Sequence, residues 1–174
     1  MWNFEEARAY IAQVSRLGSV LGLENMYALM KQLGSPQNEI PVIHIAGTNG
    51  KGSVGAYLAS ILKEAGLIVG RYCSPAVFDP LEVWQYDGRN ITKEEYAAAL
   101  SQVKAACDIL ALQEDRHPTV FEVETAMAFV YFKQMQVDIL LLETGLGGAS
   151  DATNVVESPI ANVFTTISRD HMQF

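Results

Sequence analysis

Apolar residues recur with two different periods along this chain, and the switching between them predicts its architecture. Phe4, Ala7, Tyr10, Ile11 and Val14 fall at helical spacing behind Asn3 and Glu6, a pair suited to opening a helix. Asn25 to Leu33 reads as a second, short helix stopped by Gly34-Ser35-Pro36. The period then changes. Pro41-Val42-Ile43-His44-Ile45-Ala46 is a short apolar run of the kind that forms a buried parallel strand. After a glycine loop, Ser53 to Ala65 reads as a helix closed by Gly66, with Val54, Tyr57, Leu58, Ile61 and Leu62 as its apolar positions. Leu67 to Cys73 is the next strand, and Ser74 to Asn90 is an irregular connection with a small hairpin around Glu82-Val83-Trp84 and Asn90-Ile91.

Two capping boxes open the remaining helices. Thr92 with Glu95 precedes a helix carrying Tyr96, Leu100, Val103, Cys107 and Leu110 on one face, and Thr119 with Glu122 precedes one that runs through Met135 and is apolar on most sides. Asp138 to Glu143 and Ile160 to Ile167 read as the third and fourth strands. Strands alternating with helices of this length predict an α/β fold, a mostly parallel sheet with helices on both faces. Ligands of such sheets sit at the carboxyl ends of the strands.

Composition narrows the classes of function. With 174 residues, 49% of them hydrophobic and 18% charged, the chain can bury a sizeable core as one domain. A formal net charge of −8 excludes the broad basic surface of a nucleic-acid binder, so no nucleic-acid partner is expected. No charge-free run is long enough to span a bilayer, and the start has neither a basic nor an apolar signal region. No membrane partner is expected, and a cytoplasmic monomer is. Cys73 and Cys107 form no pair motif and read as reduced, mostly buried thiols.

In so acidic a chain the lysine inside Gly47-Thr48-Asn49-Gly50-Lys51-Gly52-Ser53 stands out. The loop joins a strand to a helix, where backbone amides and the helix dipole favour a phosphate. The strict Walker pattern fails, because position 45 is Ile and Gly52 separates Lys51 from the Ser53 hydroxyl. Gly50, Gly52 and Gly55 match a dinucleotide fingerprint on paper, but the following strand ends Arg71-Tyr72-Cys73-Ser74, with no acid to hold a ribose until Asp79. A lysine among the glycines suits a triphosphate better. Glu143 ends the third strand, where a carboxylate either binds Mg²⁺ beside the phosphates or caps the next turn.

Several segments in order carry a resemblance. They are Gly22-Leu23-Glu24, His44 through Ser53, Ser74-Pro75, Thr119-Val120-Phe121-Glu122 with Thr125-Ala126, Glu143-Thr144-Gly145-Leu146-Gly147-Gly148, Asp151-Ala152-Thr153-Asn154 and Asp170-His171. Together they resemble the folylpolyglutamate synthase/dihydrofolate synthase family, relatives of the Mur amino-acid ligases. The resemblance implies a P-loop ATPase fold of the Mur-ligase central-domain type and an ATP-dependent ligase. In such an enzyme the γ-phosphate passes to a carboxylate of folate or dihydropteroate, and L-glutamate attacks the acyl phosphate.

Residue by residue, the resemblance implies ATP binding by Gly47, Thr48, Asn49, Gly50, Lys51, Gly52 and Ser53, and Mg²⁺ ligation by Ser74, Glu143 and His171. Lys51, Glu143 and His171 would carry the chemistry. Thr119, Val120, Phe121 and Glu122, with Ser150, Asp151 and Ala152, would contact the pterin. Read without the resemblance, Thr119 and Glu122 have a sufficient role as a capping box, His171 reads as solvated surface, and His44 reads as a hydrogen-bonded core histidine. Departures fall on the substrate side: Ala76-Val77 follow Ser74-Pro75 where the family has His-Leu, and Ala149 stands where it has Arg. The family also carries a second, smaller α/β domain. Residues 1–174 therefore read as a partial, truncated ATP-binding domain that does not turn over alone. A Mur-type ligase domain and a non-catalytic nucleotide-binding module are the competing readings.

Overall fold

Every residue of the strand β5 (Ile139–Glu143) is buried, and the other layers are arranged about it. The structure is a computed structural model that describes residues 2–17, 22–114 and 116–168. In chain order it comprises α1 (Phe4–Val14), α2 (Glu24–Gln32), β1 (Val42–Ala46), α3 (Lys51–Glu64), β2 (Val69–Tyr72), β3 (Trp84–Tyr86), β4 (Arg89–Asn90), α4 (Lys93–Glu114), α5 (Val120–Gln134), β5 and β6 (Ala161–Phe164). The strands form one sheet of order β4-β3-β2-β5-β1-β6. Its four strands β2, β5, β1 and β6 run parallel, while β3 and β4 extend it as an antiparallel hairpin.

Side-chain alternation along the central strands divides the core into two. Leu140 and Leu142 of β5, with Val42 and Tyr72, join the larger cluster under α1, α2, α4 and α5. Ile139 and Leu141, with Ile45 and Val69, face the other way, against Leu58, Ala59 and Leu62 of α3. The expected helices on both faces are present, four on one side and α3 alone on the other. That asymmetry corrects the expected stripe of α3. Tyr57 is 73% exposed and Ile61 64% exposed, because a single helix lying on the sheet buries only a narrow line of its surface.

The caps form as their spacing predicts. Asn3 and Glu6, Thr92 and Glu95, and Thr119 and Glu122 exchange reciprocal side-chain to backbone hydrogen bonds. Cys107 is buried and Cys73 half-buried, both as free thiols.

Boundaries shift where backbone geometry outweighs side-chain pattern. α3 starts at Lys51 rather than Ser53, since Gly50 adopts a left-handed conformation (φ +88°) and caps the helix. β2 is shorter than its apolar run, and Leu67 and Ile68 lie exposed at its entry. There the Ile68 amide donates to Asp138 Oδ2 at 2.7 Å. β6 ends at Phe164, after which the chain turns across the glycine loop. The first strand of the hairpin falls two residues beyond its expected place and the second one residue before it, and a turn of 3₁₀-helix over Pro80–Val83 that Asp79 and Glu82 cap precedes them. None of the described helices is long and apolar enough to cross a membrane.

Close packing of β2 on α5 rests on a missing side chain. A Cβ on Gly70 would stand 2.8 Å from Cδ1 of Phe132, whose ring is fully buried. Gly70→Ala is expected to destabilise the fold by about 1–3 kcal/mol through overpacking, and Phe132→Leu in the same chain to recover part of the loss. Urea denaturation checks both; an unchanged midpoint in Gly70→Ala contradicts this account of the interface.

Candidate functional site

Parallel β2, β5, β1 and β6 deliver Ser74, Glu143, the glycine loop and Thr165 to one edge of the sheet. The loop leaves β1 through Gly47 (φ +138°) and enters α3 through Gly50, both in backbone conformations that favour glycine. Its outer side is fastened to the chain beyond β6. Thr48 donates its amide to Thr166 O at 2.8 Å and its hydroxyl to Ser168 O at 3.1 Å, and the Thr166 hydroxyl donates to Asn49 O at 3.2 Å. Lys51 folds back over the loop, its ammonium donating to Gly47 O at 2.9 Å. The amides of Lys51, Gly52 and Ser53 belong to the first turn of α3 and have no acceptor within the helix. They and the lysine form a concentrated positive pole suited to phosphate oxygens.

Glu143 lies beside this pole. Its carboxylate is 4.0 Å from Lys51 Nζ and buried. Burial pushes its carboxyl above the ordinary range, and the charges of Lys51 and Arg71 partly offset the shift. The Arg71 guanidinium is the member of this site that the sequence reading left unassigned. It donates to Gly52 O at 2.8 Å and to Gln85 Oε1 at 3.1 Å, linking the first turn of α3 to the hairpin. Its signal in the sequence was a lone cation in a strand that is otherwise apolar.

Oxygen donors at the strand ends fit a hard divalent cation that keeps most of its shell as water and phosphate. Glu143 supplies a buried carboxylate, and Ser74, two residues after β2, supplies a hydroxyl. Among the described residues no group of three or more His, Cys, Asp or Glu side chains converges as a metal cage. His171, the third residue of the expected set, lies outside the described residues.

The residues expected to contact a pterin separate into different environments. Phe121 lines a cavity of about 370 Å³ together with Ser74, Pro75, Val83, Glu124 and Leu146. Gly145 makes room for it, since a Cβ there would fall on the Phe121 ring. Val120 is half-buried at the start of α5, while Thr119 and Glu122 are buried and bonded to each other's backbone. Burial raises the Glu122 carboxyl, which those hydrogen bonds partly offset. Asp151 is committed internally: Oδ2 accepts from the Leu146 amide at 2.7 Å, and Oδ1 accepts from the Thr153 amide at 2.9 Å and its hydroxyl at 2.5 Å. Ala152 is buried behind it, and Ser150 is exposed. His44 is a core histidine, its Nε2 at 2.8 Å from Thr153 Oγ1 and 3.0 Å from Thr144 Oγ1, and burial lowers its pKa.

A parallel sheet with a lysine-bearing glycine loop between β1 and α3, and a carboxylate ending the adjacent strand, defines a mononucleotide-binding α/β domain. Comparison with known proteins makes the class specific. The chain is 43% identical over 170 residues to a dihydrofolate synthase/folylpolyglutamate synthase of Bacillus subtilis, covering 97% of this chain and 39% of that protein. It superposes on a folylpolyglutamate synthase in complex with AMPPCP and folate with a TM-score of 0.92 and 37% identity, covering 99% of this chain and 42% of the other. The Mycobacterium tuberculosis folylpolyglutamate synthase complexed with ADP and AMPPCP gives a TM-score of 0.85 at 38% identity, covering 97% and 38% respectively. No family model matches the chain. By sequence and fold the chain belongs to the folylpolyglutamate synthase/dihydrofolate synthase family. It spans about two fifths of the length of the curated relatives it matches.

Glu143 also gives the site a pH signature. Because its carboxyl binds a proton more tightly folded than unfolded, ionisation costs stability. The cost is absent below the unfolded pKa and accrues as pH rises through the folded one. The stability of Glu143→Gln relative to the parent is therefore expected to shift in the variant's favour as pH rises above about 4, the ordinary carboxyl range. Urea midpoints across that rise test this, and a difference independent of pH contradicts it.

Proposed function

We propose that this chain is the nucleotide-binding portion of a ligase that joins L-glutamate to the γ-carboxyl of a folate, and to dihydropteroate where that substrate is accepted. The observation that carries the reading is the pairing of Lys51 with Glu143 at the mouth of the glycine loop, in a chain 43% identical to a protein of that activity. ATP enters with its phosphates on the amides of residues 50–53 and on the Lys51 ammonium. Mg²⁺, held by Glu143 and the Ser74 hydroxyl together with phosphate oxygens, would neutralise charge on the transferring phosphoryl group. His171 is the further ligand we assign to it.

The reaction balances in two displacements. A substrate carboxylate oxygen attacks the γ-phosphorus, and the bond to the β-γ bridging oxygen breaks to release ADP. The glutamate amine then attacks the acyl carbon, inorganic phosphate leaves, and a proton is lost from the nitrogen. Phosphorylation turns a poor leaving group into a good one, and the site contributes position and charge.

Ser74 lines the same cavity as Phe121, which supports reading that cavity as the seat of an acceptor beside the phosphate end of the nucleotide. Since the relatives are more than twice as long, we assign to these residues the binding of ATP and of the acceptor's ring system. We do not assign them turnover in isolation. The domain is proposed to act as a monomer in the cytoplasm, with no nucleic-acid or membrane partner.

Lys51→Ala removes a charge-assisted contact worth about 2–3 kcal/mol, so affinity for AMPPCP is expected to fall about thirty- to a hundredfold. Titration calorimetry of the parent and variant measures this. Equal affinity in the two would sink the assignment of the loop.

A further inference from the structure

Gly55 lies beyond the phosphate loop, and the dinucleotide fingerprint that it completes on paper fails for want of an acid after β2. A strand residue explains its place. Gly52 and Gly55 are three positions apart and share one face of α3. The guanidinium of Arg71 lies against that face. A Cβ on Gly55 would stand 3.2 Å from Arg71 Nε, and one on Gly52 3.7 Å from Nη2. Glycine is a poor helix former, so a pair of them near the start of α3 serves something other than helix stability. What the pair fits is room for this side chain.

Arg71 sits in β2 with Gln85 of β3 and Leu141 of β5 as its register partners. Both ends of its fork are engaged: Nη2 donates to Gly52 O at 2.8 Å and Nη1 to Gln85 Oε1 at 3.1 Å. A trans peptide unit is planar, and its carbonyl and N–H point in opposite directions. The Gly52 carbonyl and the Ser53 amide belong to one such unit. The bond from Arg71 therefore sets the direction of the Ser53 amide, toward the N-terminal end of α3 where the loop opens. That amide is the last without an acceptor inside the helix, since the next, Val54, donates to Gly50 O at 2.9 Å. A cationic donor on the carbonyl also polarises the unit and strengthens its N–H as a donor.

We propose that Arg71 is a positioning residue for the nucleotide, seated by Gly52 and Gly55, which aims and strengthens the Ser53 amide as a phosphate donor without touching the phosphate. The inference rests on the nucleotide-binding reading above and names the residue behind one of its donors. Geometry matters here as well as charge. A lysine at this position keeps the cation, but its single nitrogen cannot hold Gly52 and Gln85 in one planar arrangement.

The test titrates AMPPCP calorimetrically into the parent chain, Arg71→Met and Arg71→Lys, at a temperature where melting curves show all three folded. Both variants are expected to bind about tenfold more weakly than the parent. In isotope-labelled chains, AMPPCP is expected to move the Ser53 amide proton downfield in the parent and much less in either variant. A loss of packing alone would leave that signature in place. Gly55→Ala disturbs the seat while keeping the arginine. Its melting is expected to stay close to the parent's, because alanine is the better helix former, while AMPPCP binding weakens about threefold. Added to Arg71→Met, the same change is expected to cost no further affinity. Parent-like affinity in Arg71→Met, Arg71→Lys or Gly55→Ala overturns the proposal and leaves the loop as the nucleotide site, as does an additive loss in the double variant. Gly55→Ala keeps the proposal open to refutation even where Arg71→Met does not fold. A parent chain that does not bind AMPPCP removes both the proposal and the nucleotide-binding reading.

Discussion

The glycine loop holds its shape because the chain leaving the strand next door allows it no alternative. Thr165, the first residue after β6, donates its amide to Ala46 O at 2.9 Å and stands where any side chain at position 47 would have to go. Gly47 is therefore required by contact as well as by its backbone angle. Thr166 and Ser168, further along that segment, hold the outside of the loop through Thr48 and Asn49. With the loop pinned between β1 and the exit of β6, the first amides of α3 all point to one place. As the proposed phosphate site, a loop built this way would need little rearrangement on binding, which favours affinity and geometric precision.

The charges of the site follow from the same parallel arrangement. Each strand ends at the same edge of the sheet, so a carboxylate on β5, a lysine after β1 and a cation on β2 become neighbours although they lie far apart in sequence. Glu143 is held in a place where its charge is costly without a counter-ion, and Lys51 and Arg71 supply only part of the compensation. Such incomplete neutralisation is what a site for a divalent cation and a polyphosphate requires before its ligands arrive. Stability is given up at Glu143, in keeping with the cation and polyphosphate proposed to bind there.

Much of this was legible in the chain itself. Three capping boxes, an apolar run at each of the central strands and the order strand–loop–helix were enough to place the layers and to set the glycine loop at the strand ends. The stripe on α3 was misread because periodicity reports which residues could be buried, whereas the number of neighbours decides which are. Tyr57 and Ile61 fit the pattern and still face solvent. Arg71 escaped because its meaning is tertiary: only pairing of β2 with β5 brings it beneath the loop. The Asp79–Glu82 box was visible as a spacing but lay inside a stretch read as irregular. Glu124, which lines the cavity beside Phe121, sat in plain view within a helix read as apolar on most sides.

Arg71 has a mechanical consequence. One guanidinium ties the carbonyl of Gly52 in the first turn of α3 to Gln85 in the hairpin, and the same hairpin follows directly from Val83, which lines the neighbouring cavity. The glycine loop and the neighbouring cavity thus share a common brace across β2. A strut of this kind fixes the distance between two binding compartments independently of what fills either one. In a reaction where an atom of one ligand must reach an atom of another, that fixed span is a ruler, and its length is set by a side chain that need touch neither.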